Sequence, residues 1–172
     1  VNFGSEDGYH VNGLLKNNYF KRALAFEINK YGQEQIKKNS LLNNLSDKIK
    51  IFNEANFNEI KNNLTPEQLE KTLFLVDIEG NEFEIFNETN SDTFKKSFLI
   101  IENHNFLAEQ KLVDKFFECM NKNFNLEIIN NGSRNPYVIP EINNFDDDER
   151  WLLVSEGRKQ NMNWLIFTPK NR

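Results

Sequence analysis

The sequence predicts an α/β three-layer sandwich around a mostly parallel sheet. Three observations predict it. Residues 23–26, 73–76 and 98–101 are continuous apolar runs of strand length, as strands covered on both faces are. Stretches with helical spacing lie between them, so strands and helices alternate. Each apolar run ends in polar groups: Glu27, then Asp77-Ile78-Glu79-Gly80, then Glu102-Asn103-His104. Polar groups gathered at the carboxyl ends of parallel strands mark the edge where such sheets bind ligands.

The elements follow in order. Residues 1–3 read as the tail of a first strand, short against the usual ~5–6 residues, so truncation of that strand and a missing upstream segment are expected. Gly4-Ser5-Glu6-Asp7-Gly8 is a turn into a helix over 9–18, where Val11, Leu14 and Leu15 share a face. A buried strand over 23–26 precedes a helix over 34–43, with Ile36 and Ser40 on one face. Residues 48–52 alternate as a strand, and 53–63 are polar, irregular or weakly helical. Thr65-Pro66-Glu67-Gln68 is a helix start, with a hydroxyl cap, proline first and an acid next. The central strand at 73–76 leads to a short helix over 81–87, with Phe83 and Phe86 facing inward. After the strand at 98–101, residues 107–120 form the clearest amphipathic helix. Its stripe is Leu112, Val113, Phe116, Phe117 and Met120, with Cys119 beside it as a core filler. A strand over 124–129 and a long polar connection over 130–147 come next. A helix over 148–156, capped by an aspartate and stopped by Gly157, precedes a last strand over 163–168. No repeat or linker divides the chain, so one domain over 1–172 is expected.

Composition excludes several classes of function. The net charge is −5, from 21 basic and 26 acidic residues, and no basic stripe appears. Phosphate backbones need clustered Lys and Arg, so nucleic acid is not the expected partner. No apolar run approaches the ~20 residues that span a bilayer, so no membrane partner is expected. A single cysteine forms no internal disulfide and fits a reducing, cytoplasmic location.

The first turn and the acid after the second strand form a pair. A Gly-x-x-x-Gly turn lets the backbone approach a ligand and opens a helix whose N–H groups face it. An acid about twenty residues on, at the tip of the second strand, suits the two hydroxyls of a ribose. Gly4, Ser5, Glu6 and Gly8 are therefore candidates to hold a nucleoside cofactor, with Glu27 on its ribose. Asn53 and Glu54, at the tip of the third strand, either contact adenine or belong to a polar loop. A nicotinamide dehydrogenase is a weaker reading, because residues 4–9 lack Gly-x-Gly-x-x-Gly.

These segments resemble the FkbM-type methyltransferases, of the class I S-adenosylmethionine-dependent group. The likeness is carried by residues 1–10, 25–27, 38–44 and 76–82, and by Ile100-Ile101-Glu102-Asn103-His104. It runs from Val1 to about His104 and is weaker through Trp164-Leu165. Its most specific piece is Asp77-Ile78-Glu79-Gly80-Asn81-Glu82. The resemblance implies a Rossmann-like methyltransferase sandwich of seven strands, the last antiparallel and inserted beside its predecessor. It implies S-adenosylmethionine as cofactor and methyl transfer to a hydroxyl oxygen of a small molecule, a sugar or similar metabolite. The family's usual acid two residues before the first glycine is Asn2 here.

Methyl transfer from a sulfonium is an in-line displacement in which the protein mainly positions and desolvates. Asp77 would orient the cofactor amine, bind the acceptor or hold a metal, and Glu79 would bind the acceptor. His104, with Glu102 two residues before it, would take the proton that the acceptor hydroxyl sheds. Asp77, Glu102 and His104 also make a ligand set for a hard divalent metal, although metal-free transfer is the favoured expectation. Asp146-Asp147-Asp148 reads as a helix cap rather than a calcium loop. Glu156 and Arg158 either close over the acceptor or form a surface pair. The competing function is a catalytically inactive cofactor-binding or interaction protein of the same fold.

Overall fold

The computed structural model describes residues 1–155 and 162–170. Seven strands form one sheet: β1 (Asn2–Phe3), β2 (Ala23–Phe26), β3 (Ile49–Phe52), β4 (Leu73–Val76), β5 (Phe98–Glu102), β6 (Phe124–Asn130) and β7 (Asn163–Pro169). Their order across the sheet is β3-β2-β1-β4-β5-β7-β6. All pairs are parallel except those of β7, which runs antiparallel to both β5 and β6. The seven strands and the inserted antiparallel last strand are those the sequence reading expected.

The order reverses between β1 and β4. The chain winds outward through β2 and β3, then returns to place β4 on the other side of β1. The loops after β1 and β4 therefore part company, and a crevice opens at the carboxyl ends of these strands. Asn2 lies opposite Ala25 and Leu75, and Phe3 opposite Phe26 and Val76. That register brings the ends of β1, β2 and β4 level.

Side-chain alternation sorts the helices into two layers. Leu24 and Phe26 join one core with Phe3, Phe74 and Val76, while Ala25 joins the other with Val11, Leu15 and Ile36. Helices α1 (Tyr9–Lys16) and α2 (Lys30–Leu42) cover the second face. The first face carries α3 (Phe57–Asn63), α4 (Pro66–Leu69), α5 (Glu82–Ile85), α6 (Ser91–Phe94) and α7 (Gln110–Asn123). Phenylalanine dominates this layer. The Phe3 ring meets Phe26, Phe57 and Phe74 edge-on at 5.1, 5.9 and 5.8 Å between centroids. Such edge-to-face pairs add to the free energy of area burial alone.

Several boundaries differ from the sequence reading. Helix α2 begins at Lys30, not residue 34, because the Asn29 side chain accepts the Tyr31 N–H at 2.8 Å and caps it. Asn56 caps α3 in the same way, so of the two readings left open for residues 53–63 the helical one holds from Phe57 on. The helix begun by Thr65 lasts one turn, held by a reciprocal Thr65–Gln68 capping box. Helix α6 was not expected; its Phe94 is buried. The amphipathic helix starts and ends three residues later than read, with Cys119 buried in its core face. Helix α8 (Asp147–Val154) opens on a capping box between Asp146 and Glu149, which supports the cap reading of its acid run. Its expected stop, Gly157, and the pair Glu156 and Arg158 lie outside the described residues. No helix among the described residues is long and apolar enough to cross a membrane.

Candidate functional site

The crevice at the β1/β4 reversal is a cleft of about 590 Å³. Gly4, Phe26 and Glu27, Asn53–Ala55, and Asp77–Glu79 line it from the ends of β1, β2, β3 and β4, and Asn81, Glu84 and Ile85 close one side. Four strand ends thus converge, as the parallel register requires.

The turn after β1 is built by backbone strain that glycine relieves. Gly4 has φ 75° and Gly8 φ 82°, both left-handed. The N–H groups of Gly4 and Ser5 both donate to the Phe26 carbonyl, at 3.1 and 3.0 Å, which pins the turn to the end of β2. Gly4 faces the cleft. Ser5 is buried behind it, donating its hydroxyl to the Asn2 carbonyl at 3.1 Å. Gly8 is turned toward α2: a Cβ placed there would lie 3.3 Å from Ile36. Glu6 is exposed and contributes its N–H rather than its carboxylate.

Glu27 holds this corner together. Its Oε2 accepts the Glu6 N–H at 2.8 Å and its Oε1 accepts the Asn29 N–H at 2.7 Å. A carboxylate offers about four acceptor sites, so two further donors can still be received from the cleft. Gly32, in the first turn of α2, makes room for it: a Cβ there would meet Glu27 Cγ at 2.8 Å. Gln33 donates to the Glu27 carbonyl at 2.6 Å and to Asn53 Oδ1 at 3.3 Å, tying β2 to β3. Neither Gly32 nor Gln33 was singled out from sequence. Asn2 is buried and donates its amide to the Leu75 carbonyl at 3.1 Å, away from the cleft. His10 is exposed on α1, its ring against Tyr9.

At the far end of the cleft stands a cluster of acids around one imidazole. His104 and Glu102 are each 2% exposed, and Glu82 is 0% exposed. His104 Nδ1 bonds Glu82 Oε1 at 2.8 Å, and the His104 backbone N–H donates to the same oxygen at 3.2 Å. Glu82 Oε2 accepts the Gly80 N–H at 2.9 Å. His104 Nε2 points the other way, 3.5 Å from Glu79 Oε2 and 3.7 Å from both Asp77 Oδ1 and Glu102 Oε2. Asp77, Glu79, Glu102 and His104 therefore meet at one point. Asp77 and Glu79, with side chains 39% and 77% exposed, are members shared with the cleft, Glu79 standing at its rim. Glu82 completes the cluster, although it had no assigned role in the sequence reading.

The cluster shifts its own proton equilibria. Burial, then the hydrogen bond and charge of Glu102, push the Asp77 carboxyl up to about 7, against the pull of His104. For His104, burial opposes the charged ring, but the Glu82 bond and the charges of Glu82, Glu79 and Asp77 outweigh it, and its pKa is raised.

A second cavity, of about 410 Å³, lies at the opposite edge of the sheet. It is lined by the starts of β2 and β4 and by Val11, Leu15 and Phe20. It gathers no acid, and it lies away from the strand ends where open α/β sheets hold their ligands.

No protein-family model matches this chain, and no curated protein matches it in sequence. Solved structures do match. An uncharacterized protein from Listeria monocytogenes serotype 4b matches with a TM-score of 0.62 and 12% identity, over 99% of this chain and 61% of that one. A putative tRNA (m1A22) methyltransferase from Streptococcus pneumoniae, in complex with S-adenosyl-L-methionine, matches with a TM-score of 0.62 and 14% identity, over 98% of this chain and 64% of that one. An O-methyltransferase from Bacillus cereus, in complex with SAH, matches with a TM-score of 0.60 and 12% identity, over 98% of this chain and 72% of that one. The fold is that of the Rossmann-like methyltransferases. The chain spans less than two thirds of the first two of these structures. Within this methyltransferase fold, the glycine turn, Glu27 and the Asp77–His104 cluster occupy one edge, and the second cavity occupies the other.

Proposed function

We propose that the chain is an S-adenosylmethionine-dependent methyltransferase domain of the FkbM type, acting on a hydroxyl oxygen of a small molecule such as a sugar. One observation carries the reading: a single cleft at the strand-order reversal is lined by Gly4, Glu27 and Asp77 from three adjacent strand ends. The apolar walls Ile28, Ala55, Ile78 and Ile85 suit a flat base. Glu27 has acceptor capacity left for the ribose hydroxyls, and Asp77 stands where the charged methionine end would lie. Matching structures that hold this cofactor or its product support the choice of cofactor.

Bound S-adenosylmethionine would supply an electrophilic methyl to the acceptor oxygen, leaving as S-adenosylhomocysteine, and the hydroxyl proton would have to be taken by a group of the chain. The Asp77–Glu102–His104 group is proposed as that proton acceptor, with Asp77 as its member open to the cleft and Glu79 at the rim holding the acceptor. Buried at 2%, His104 stands behind Asp77 and Glu79, both of which line the cleft. An Asp77 carboxyl near 7 exchanges its proton close to neutrality, where general catalysis is most effective.

The matching structures include both a putative tRNA (m1A22) methyltransferase and an O-methyltransferase. A small acceptor is favoured here by charge. Glu54, Asp77, Glu79 and Glu84 surround the cleft, and the chain carries −5 overall. A polyanion would be repelled from this mouth. The buried lone cysteine fits work in a reducing compartment such as the cytoplasm.

Calorimetric titration with S-adenosylmethionine and with NAD tests the reading. The first should bind one to one and the second should not bind. Glu27→Ala removes charge-assisted hydrogen bonds of about 1.5–3 kcal/mol each, so affinity should fall at least tenfold. Unchanged affinity in Glu27→Ala, or binding of NAD alone, would contradict it.

A further inference from the structure

We propose that Asp77, Glu102 and His104, joined by Glu79, form a binding site for a divalent cation of the manganese class. The site stands on its side chains alone and holds whether or not the adjoining cleft takes the cofactor. One ligand atom from each of Asp77, Glu102 and His104 lies within 4.8 Å of the others. Six-coordinate ligands at about 2.1 Å from an ion stand roughly 3.0 Å apart when adjacent and 4.2 Å apart when opposite. The observed 3.7 Å from His104 Nε2 to Asp77 and to Glu102, and 3.5 Å to Glu79, lie within that span. Small side-chain shifts complete the set.

Gathered acids alone would not indicate an ion. The deciding group is the imidazole. His104 is buried, and its Nδ1 is anchored at 2.8 Å on Glu82, itself fully buried. With Nδ1 held on Glu82, Nε2 faces the three carboxylates, and an ion bound there would take the Nε2 lone pair in place of a proton. The nearest of them stand beyond ordinary N–H···O distance, so Nε2 makes no hydrogen bond among the described residues. A metal-ligating histidine characteristically donates its other nitrogen to a carboxylate, which sets its tautomer and direction. Glu82 holds that place, and its second oxygen is in turn held by the Gly80 N–H.

The ligand chemistry narrows the ion. Three carboxylates against one imidazole weight the set toward hard, oxygen-preferring ions such as manganese. Magnesium keeps more water, and zinc sites usually carry more nitrogen or sulfur than one imidazole supplies. The ion would lie beside Asp77 at the cleft, where it would polarise an acceptor hydroxyl and ease loss of its proton. The sequence reading weighed the set by ligand type alone and favoured metal-free transfer; the support of His104 by Glu82 is what the structure adds.

Titration of the full chain with Mn²⁺, followed by the electron paramagnetic resonance signal of the free ion, tests this. One ion should bind per chain at sub-millimolar concentration. His104→Gln should weaken it at least tenfold and Glu82→Gln by roughly 10–100-fold. Glu88→Gln, which removes a surface acid paired with Lys122, should leave it unchanged. In case these variants fold poorly, the parent chain gives a second readout. Bound Mn²⁺ should broaden the amide resonances of residues 77–82 and 102–105 before all others. The proposal is overturned by absence of saturable binding, by equal affinity in a folded His104→Gln, or by first broadening at the acid run 146–148. Methyl-donor titration separates the two readings, since cofactor binding without Mn²⁺ binding removes only the ion.

Discussion

Gly4→Ala is expected to lose most of the stability of the fold. The residue has φ 75°, and a Cβ placed there would lie 1.7 Å from the Asp77 carbonyl oxygen. A left-handed backbone costs an L-residue about 1–2 kcal/mol. The overlap adds more, because that oxygen belongs to backbone rather than to a side chain that could swing away. Asp77 is itself fixed by its N–H bond to the Phe3 carbonyl at 3.0 Å, and Gly4 by its bond to Phe26. Separating the two chains would break β1 from β4 or from β2. A loss of about 3 kcal/mol or more is expected, a large part of an ordinary domain's stability. Gly13→Ala is the matched control. It lies within α1 with nothing inside 4 Å of its Cβ position, so it should stabilise by about 0.4–1 kcal/mol. Denaturant midpoints of the two variants measure the contrast. Equal midpoints would show that the turn is not as tightly built as described.

Glu82→Ala is expected to cost about 3–5 kcal/mol, the usual effect of removing one partner from a buried charged pair. The side chain is fully buried and receives three donors: the Gly80 N–H, the His104 N–H and His104 Nδ1. Alanine leaves all three without an acceptor in a dry site. Glu82→Gln keeps one carbonyl oxygen for the two His104 donors and should lose less. Chemical denaturation of the three chains orders them as parent, Gln, Ala. An alanine variant as stable as the parent would show that solvent reaches this pocket and satisfies the donors.

These two residues show what the sequence carries and what it hides. Gly4 was legible because a left-handed turn after an apolar strand leaves a mark in one residue type. Glu27 was legible because the βαβ unit fixes its distance from that turn. The strands at 73–76 and 98–101 were legible because burial on both faces writes a continuous apolar run. Glu82 was present in a recognised motif yet had no visible role, since an acid in a first helical turn reads as an exposed partner of the helix dipole. Only the parallel pairing of β4 with β5 brings His104 over it, and that pairing is not a local property. The caps Asn29 and Asn56 were hidden for a different reason. In a chain this rich in asparagine, many turns carry a candidate cap, so the residue type loses its power to mark a helix start. Helix α6 was missed because a single turn shows too little periodicity to separate from a loop.

The position of bound S-adenosylhomocysteine in a crystal of this chain tests the central claim most directly. The account predicts the adenosyl group in the 590 Å³ cleft, with both ribose hydroxyls within hydrogen-bond distance of the Glu27 carboxylate and the sulfur directed toward Asp77. Density for the ligand in the 410 Å³ cavity at the opposite edge, or none at saturating concentration, would contradict it.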